Sequence, residues 1–525
     1  MKKNINIFKY EEKIIIFLLL LFSLIINQHY GNKGIFPLDS FSHFDRGFGI
    51  LLGEHPFKDY WVISGPVIDY FQSFFFYIFG TNWQSYIFHA SFVNALVALS
   101  TFVLLRNFNL NIYISFIYSI GVAILAYPSS GTPFVDHHSV FFSLLGLYFL
   151  ILAIKNDSKL YWSILPFFFT IAFFSKVVPS LYIVASVFFV LIFYTSVNKN
   201  FNWIKYSFFS LVLIVLVIIS IAKILGINFS SFLTQYIFYP QTLGTERYSE
   251  IDFSFKNIFL RFKFIYISLL PLIYINFKNF FFKKNYFKEK DFIYFLILIF
   301  LTFSLIFHQL LTKNQIFIFF LIPILTAFSH ISLMKYNKKS KIIIFLILSL
   351  FFYTTFKYHL RFNEDRKFHE FVETNFELSV PAKKIDRKLF GLKWITPEYK
   401  ANPEDEIDLI LNVKSYLQND KRKKMIMAHH AFFSVILDQK TFTPTRFFTK
   451  HGVSHPTKEN KYFKNYRKFF IRKITENDIK VIYTIRPVDP YFPMELLSKE
   501  CIKSSSLSSI LDAHLILECD NLKSN

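Results

Sequence analysis

Eleven apolar stretches, each close to the length that crosses a bilayer, fill the chain up to Phe356 and constrain it more than any motif. A spanning helix needs about 20 apolar residues, within a usual range of about 17 to 25. The candidates lie near residues 14 to 28, 84 to 105, 111 to 127, 138 to 154, 160 to 174, 179 to 196, 206 to 225, 260 to 277, 291 to 307, 315 to 333 and 341 to 356. Of 525 residues, 53% are hydrophobic and 18% charged, against about 25% charged in ordinary globular chains. Too little polar surface remains for a water-soluble coat, so the fold class is an α-helical polytopic membrane protein.

Loop charge sets the expected orientation. With the N-terminus inside, the segments 1 to 13, 106 to 110, 155 to 159, 198 to 205, 278 to 290 and 335 to 341 hold 18 Lys and Arg in 51 residues; the opposite loops hold 9 in 116. The positive-inside rule favours this arrangement in an inner, cytoplasmic membrane, and it also accounts for the net charge of +22 without nucleic acid as a partner. Residues 66 to 80 would invert everything downstream if they spanned. Asp69 and Gln72 suit them instead to lying at the interface, in contact with membrane lipids. The first stretch follows Lys2 and Lys3 but ends at Asn27-Gln28-His29, which offers no small-residue cleavage site, so it reads as an uncleaved anchor.

From about Lys357 the composition turns mixed and charged, and the expected organisation is a transmembrane domain over 1–356, with a long loop 28–83, followed by an external α/β domain over 357–525. Glu404 to Leu417 has helical apolar spacing, Lys424 to Leu437 reads as a strand and its continuation, and Lys480 to Ile485 as another strand. The only two cysteines, Cys501 and Cys519, exclude a disulfide scaffold; in an external tail they are expected to pair with each other. The pairs His137/His138 and His429/His430 lack metal-ligand spacing, and neighbours on a strand point to opposite faces. A divalent cation held by loop carboxylates stays open as a cofactor. Gly47-Phe-Gly-Ile-Leu-Leu-Gly53 has one residue too many for a dinucleotide fingerprint and no βαβ context, and there is neither a Walker A sequence nor Asp-x-Asp.

The polar residues that could carry chemistry gather in loops. Between the first two spans stand Asp39-Ser-Phe-Ser-His43-Phe-Asp45-Arg46-Gly47, then Gly53-Glu54-His55-Pro56-Phe57-Lys58-Asp59, then Ser64-Gly65-Pro66. Ordinary loop chemistry explains Gly, Pro and Asp there as turn formers, yet the density of polar side chains exceeds that need. A second motif, Ser129-Ser-Gly-Thr-Pro-Phe-Val-Asp136-His137-His138, precedes a span, where Asp136 would favour the helix dipole. Lys176, in Ser-Lys-Val-Val-Pro between two spans, fits either a snorkelling lysine or an anion site.

The order Asp39, Gly53, Pro56-Phe57-Lys58-Asp59, Pro66 and Phe79-Gly80 resembles the first loop of GT-C fold glycosyltransferases that use polyprenyl-phosphate sugars, the group of protein O-mannosyltransferases and aminoarabinose transferases. Ser40 replaces a second acidic residue and Ser64-Gly65-Pro66 a Lys-Pro-Pro. The resemblance covers mainly residues 36 to 180. It implies a polyprenyl phosphate sugar donor, a glycan, lipid or protein acceptor, and Asp39 as general base, with Asp45 in reserve. A carboxylate within about 2.6 to 3.2 Å of an acceptor hydroxyl can take its proton during attack. It also implies that Asp136 and His137 position substrate, with Asp45, Lys58, Asp59, Lys176, Arg247 and Lys313 as further substrate-binding candidates; the cations would offset charge on the leaving phosphate. Two rival readings stand beside it: a transporter or flippase of lipid-linked sugars, which would want polar residues at mid-membrane, and a non-catalytic assembly protein.

Overall fold

The computed structural model describes residues 10–312, 318–336, 341–449 and 452–518. The chain opens with α1 (Tyr10–Gly31), and the first loop then folds into α2 (Pro37–Ser40), α3 (Phe44–Leu51) and α4 (Pro66–Phe79). There follow α5 (Trp83–Asn107), α6 (Ile112–Leu125), α7 (Val135–Asn156), α8 (Lys159–Ser175), α9 (Val177–Asn198) and α10 (Asn202–Ile224). Two short helices, α11 (Phe229–Phe232) and α12 (Tyr239–Ser249), lead to α13 (Lys263–Phe282), α14 (Lys290–Thr312), α15 (Leu321–Tyr336) and α16 (Lys341–His359). Among the described residues, 10 helical segments are long and apolar enough to cross a membrane, and α8, with 17 residues, is the shorter eleventh. Each expected stretch overlaps one of them.

Residues 66–79 form a helix of 14 residues, too short to span, started by Pro66 and ended at Gly80 with φ +80°. Its polar side chains do not face the interface. Asp69 and Gln72 are buried, so this helix turns its polar stripe into the protein. Among the spans, α7 is almost wholly enclosed by its neighbours, whereas α10 leaves nearly its whole surface for lipid.

The C-terminal α/β region is built on one four-stranded sheet. A two-residue antiparallel pair, β1 (Val380–Pro381) with β2 (Lys393–Trp394), precedes α17 (Pro403–Asn419), β3 (Lys424–Met427), α18 (Phe433–Leu437), α19 (Phe463–Asn477), β4 (Val481–Ile485), β5 (Ile502–Ser506) and β6 (Leu511–Ile516). The order is β3-β4-β6-β5, with β3 parallel to β4 and the other pairs antiparallel. Side chains alternate along the strands. Ile426, Val481 and Tyr483 pack with α17 and α18, while Met425, Met427 and Ile482 pack with Tyr466, Phe469 and Phe470 of α19.

Both of these cores also contain the first loop. Phe41 and Phe44 join the α17/α18 side, Phe41 lying 4.9 Å from Phe432 and 5.2 Å from Trp83 between ring centroids, and Trp61 joins the α19 side. Burying each such ring contributes about 1.5 to 3 kcal/mol. The sheet region is therefore packed onto the first loop.

The expected strand over Lys424–Leu437 stops at Met427, and the β-prone run Phe433-Ser-Val-Ile-Leu437 is helical. The cause is tertiary. The Asp45 carboxylate accepts the backbone N–H groups of Ser434 and Val435, both at 3.1 Å, which fixes the first turn of α18 and overrides local preference. His429 and His430 consequently sit in a loop rather than on a strand. The His430 ring stacks on Trp394 at 5.8 Å with its Nε2 3.2 Å from Glu406. Cys501 is disulfide-bonded; Cys519 lies outside the described residues.

Candidate active site

Asp136 stands in the first turn of α7 and Lys176 at the joint between α8 and α9, where the backbone is extended (φ −163°, ψ 132°). Ser139 and Ser180 donate their hydroxyls to the Lys176 carbonyl at 3.1 and 2.8 Å and hold that joint in place. The Lys176 ammonium bridges both Asp136 oxygens at 2.9 and 2.7 Å. His308, near the end of α14, brings Nε2 within 2.7 Å of Asp136 Oδ1. Asp136 thus serves as the buried anion of a three-residue cluster whose Lys176 stays partly exposed, rather than as a helix cap; the capping position of α7 is Phe134, with no side-chain cap.

Asp39 approaches this cluster from α2. The chain enters α2 strapped to the C-terminal region: the Gly34 and Ile35 N–H groups donate to the Lys393 and Ile395 carbonyls at 3.1 Å each. Ser40, in place of a second acid, accepts the Phe36 N–H at 3.0 Å and tightens the turn. Asp39 is half-buried, and its carboxylate has no hydrogen-bond partner among the described residues. Its burial, followed by the charge of Asp136, pushes it up to about 7, against the opposing pull of Lys176. A carboxyl that titrates near neutrality and leaves its oxygens uncommitted has the properties of a general base.

The other expected residues scatter. Asp45 is buried and committed to α18; burial raises its carboxyl above the usual range, against Arg46 and the two amides. Asp59 accepts the His55 N–H at 2.8 Å and shapes its own turn. Lys58 is exposed and donates to the Leu225 carbonyl at 3.2 Å, at the end of α10. His137 is buried with Nε2 3.0 Å from the Ser129 hydroxyl. Arg247 is on α12, which packs against α14, the helix of His308. Lys313 lies outside the described residues.

Three buried groups, His308, Asp69 and Glu54, are not identifiable as site residues from the motifs. His308 carries no motif and no metal-ligand spacing that would single it out. Asp69 accepts from His43 Nδ1 at 2.6 Å, from the Tyr60 hydroxyl at 2.8 Å and from Arg446 at 2.7 Å. Burial raises Asp69, but Arg446 and His43 outweigh it and hold the carboxyl below its usual range; burial and Arg446 bring His43 down to about 4, so it is neutral. Glu54 is surrounded by Lys473 at 3.1 Å, Lys440 at 3.7 Å and Arg46 at 3.7 Å, which outweigh its burial and keep it ionised. An acid inside an apolar helix is a usable signal for Asp69; the lysine partners of Glu54, hundreds of residues away, leave none.

Residues 55–221 match the family model for dolichyl-phosphate-mannose-protein mannosyltransferase. The matched part runs from the Pro56 turn through α4 into α10 and includes Asp136 and Lys176; Asp39 precedes it. Together with the many apolar helices it fits a GT-C membrane glycosyltransferase, as the first-loop motifs imply, and supports dependence on a polyprenyl-phosphate sugar in general. No curated protein matches the chain. Among the described residues no group of three or more His, Cys, Asp or Glu is placed to hold a metal ion.

Proposed function

We propose that this protein moves a sugar from a polyprenyl phosphate to an acceptor hydroxyl on the external face of the membrane, in one inverting displacement. Asp39 takes the acceptor proton as the acceptor oxygen attacks the anomeric carbon. The bond from that carbon to the phosphate oxygen breaks, and its electron pair leaves with the polyprenyl phosphate. Lys176, which has one ammonium hydrogen beyond the two given to Asp136, faces the charge that develops there, with Arg247 as a further cation. The observation that carries the reading is the Asp136–Lys176–His308 cluster with the uncommitted Asp39 carboxylate in its electrostatic field.

Asp136→Asn removes the charge that holds Lys176 and His308 in place. Transfer from a radiolabelled polyprenyl phosphate sugar should fall about a hundredfold, the loss that a misplacement of roughly 1 Å produces. An unchanged single-turnover rate would remove Asp136 from the site.

Orientation is tested separately. A cysteine introduced by Asn419→Cys, at the end of α17, should react with a membrane-impermeant thiol reagent from the external side of intact cells. Labelling from the cytoplasmic side alone would invert the topology and remove the external acceptor.

A further inference from the structure

Gly65 is the point where the first loop, the spans and the C-terminal region meet. Its backbone is left-handed (φ +65°), and a Cβ there would lie 2.6 Å from His43 Cε1, 2.9 Å from Val135 Cγ1 and 3.2 Å from Arg446 Nη2. Its N–H donates to the Ser175 carbonyl at 2.8 Å. Val135 precedes Asp136, and Ser175 precedes Lys176, so a single residue touches the neighbours of both members of the ion pair. On its other side Gly65 leads into α4, whose Asp69 is bound by His43 and Arg446.

Arg446 belongs to the loop after α18 and is itself fixed there. Thr445 donates its hydroxyl to the Ser454 carbonyl at 3.0 Å, and the backbone N–H of Trp61 donates to the Pro444 carbonyl at 2.8 Å. Asp69 and His43 are fully buried. With His43 neutral, Arg446 is the cation in direct contact with a carboxylate that has no access to water. Without it, Asp69 must take up a proton or move toward solvent, and either change shifts the start of α4 together with Gly65.

We propose that Arg446 is a positioning residue for sugar transfer: it fixes Asp69 and His43, these seat Gly65 against the α7 start and the α8–α9 joint, and the C-terminal region is thereby a working part of the catalytic centre. The rate arm of the test rests on the glycosyltransferase reading above; the exchange arm does not.

The test uses the full chain in lipid nanodiscs, with Arg446→Ala and Arg446→Lys. Single-turnover transfer at saturating donor should fall by between about tenfold and a hundredfold in Arg446→Ala, with the donor KM changed by less than about threefold. Arg446→Lys, which keeps the charge but loses the planar fork, should fall between the two, and added guanidinium should restore much of the Arg446→Ala rate. Amide hydrogen exchange should rise in residues 62–72 and 134–139 of Arg446→Ala while β3 and β4 stay protected. Exchange at 134–139 and a rate both within about twofold of the parent protein would overturn the proposal. So would exchange rising equally in β3 and β4, which would make Arg446 a general support of the fold. A parent protein that transfers no sugar, with 134–139 still loosened in Arg446→Ala, would refute the glycosyltransferase reading and leave the positioning link standing.

Discussion

Asp39→Asn should lower single-turnover transfer by about 10² to 10⁴-fold, the usual contribution of a general base, while insertion and folding stay intact. The amide keeps the size of the side chain and its freedom from hydrogen-bond partners, but it cannot accept the acceptor's proton. The pH profile supplies an independent signature. Because the carboxyl is pushed up to about 7, it holds its own proton below that pH and cannot take another. The parent rate should therefore climb about tenfold per pH unit up to about 7 and level off above it, whereas the residual rate of Asp39→Asn should lack that limb. Retention of more than about a tenth of the parent rate would dismiss Asp39 as the base. Asp45 is a poor substitute, with both oxygens held by the amides of α18.

Glu54→Gln should destabilise the contact between the first loop and α19 by about 3 to 5 kcal/mol, the cost of leaving a buried charge without its partner. Lys473 is buried, and Glu54 is its ion-pair partner among the described residues. The double variant Glu54→Gln/Lys473→Met removes the stranded cation and should recover most of the loss. Urea denaturation in detergent, followed by protease cleavage of the C-terminal region, measures it. Single-variant losses that simply add in the double variant would show that the two residues act independently.

The part of this molecule legible in the sequence is the part built from near neighbours. Apolar length fixed the spans to within a few residues, and the spacing of Ile407, Ile410 and Leu417 found α17, because both signals are local and periodic. The Asp39 loop, Asp136 and Lys176 were singled out one by one, but their meeting was not visible, since α7, the α8–α9 joint and α2 come together only through packing. The run after Met427 reads as strand but is helical, because its state depends on Asp45, 389 residues from Ser434. From the sequence Asp69 reads as an interfacial residue. Its partners His43, Tyr60 and Arg446 make Asp69→Asn a change to the frame of the site instead.

The clasp between Asp45 and the amides of Ser434 and Val435 also sets a schedule for the molecule's making. A ribosome adds about 5 to 20 residues per second, so the 389 residues between Asp45 and Ser434 occupy roughly 20 to 80 s of synthesis. During that interval the loop that carries Asp39 has left the first span without the strand, the helix turn and the arginine that later hold it. A nascent chain thus lacks this clasp until α18 has been made, and a chain terminated between the last span and residue 434 would carry every span without it.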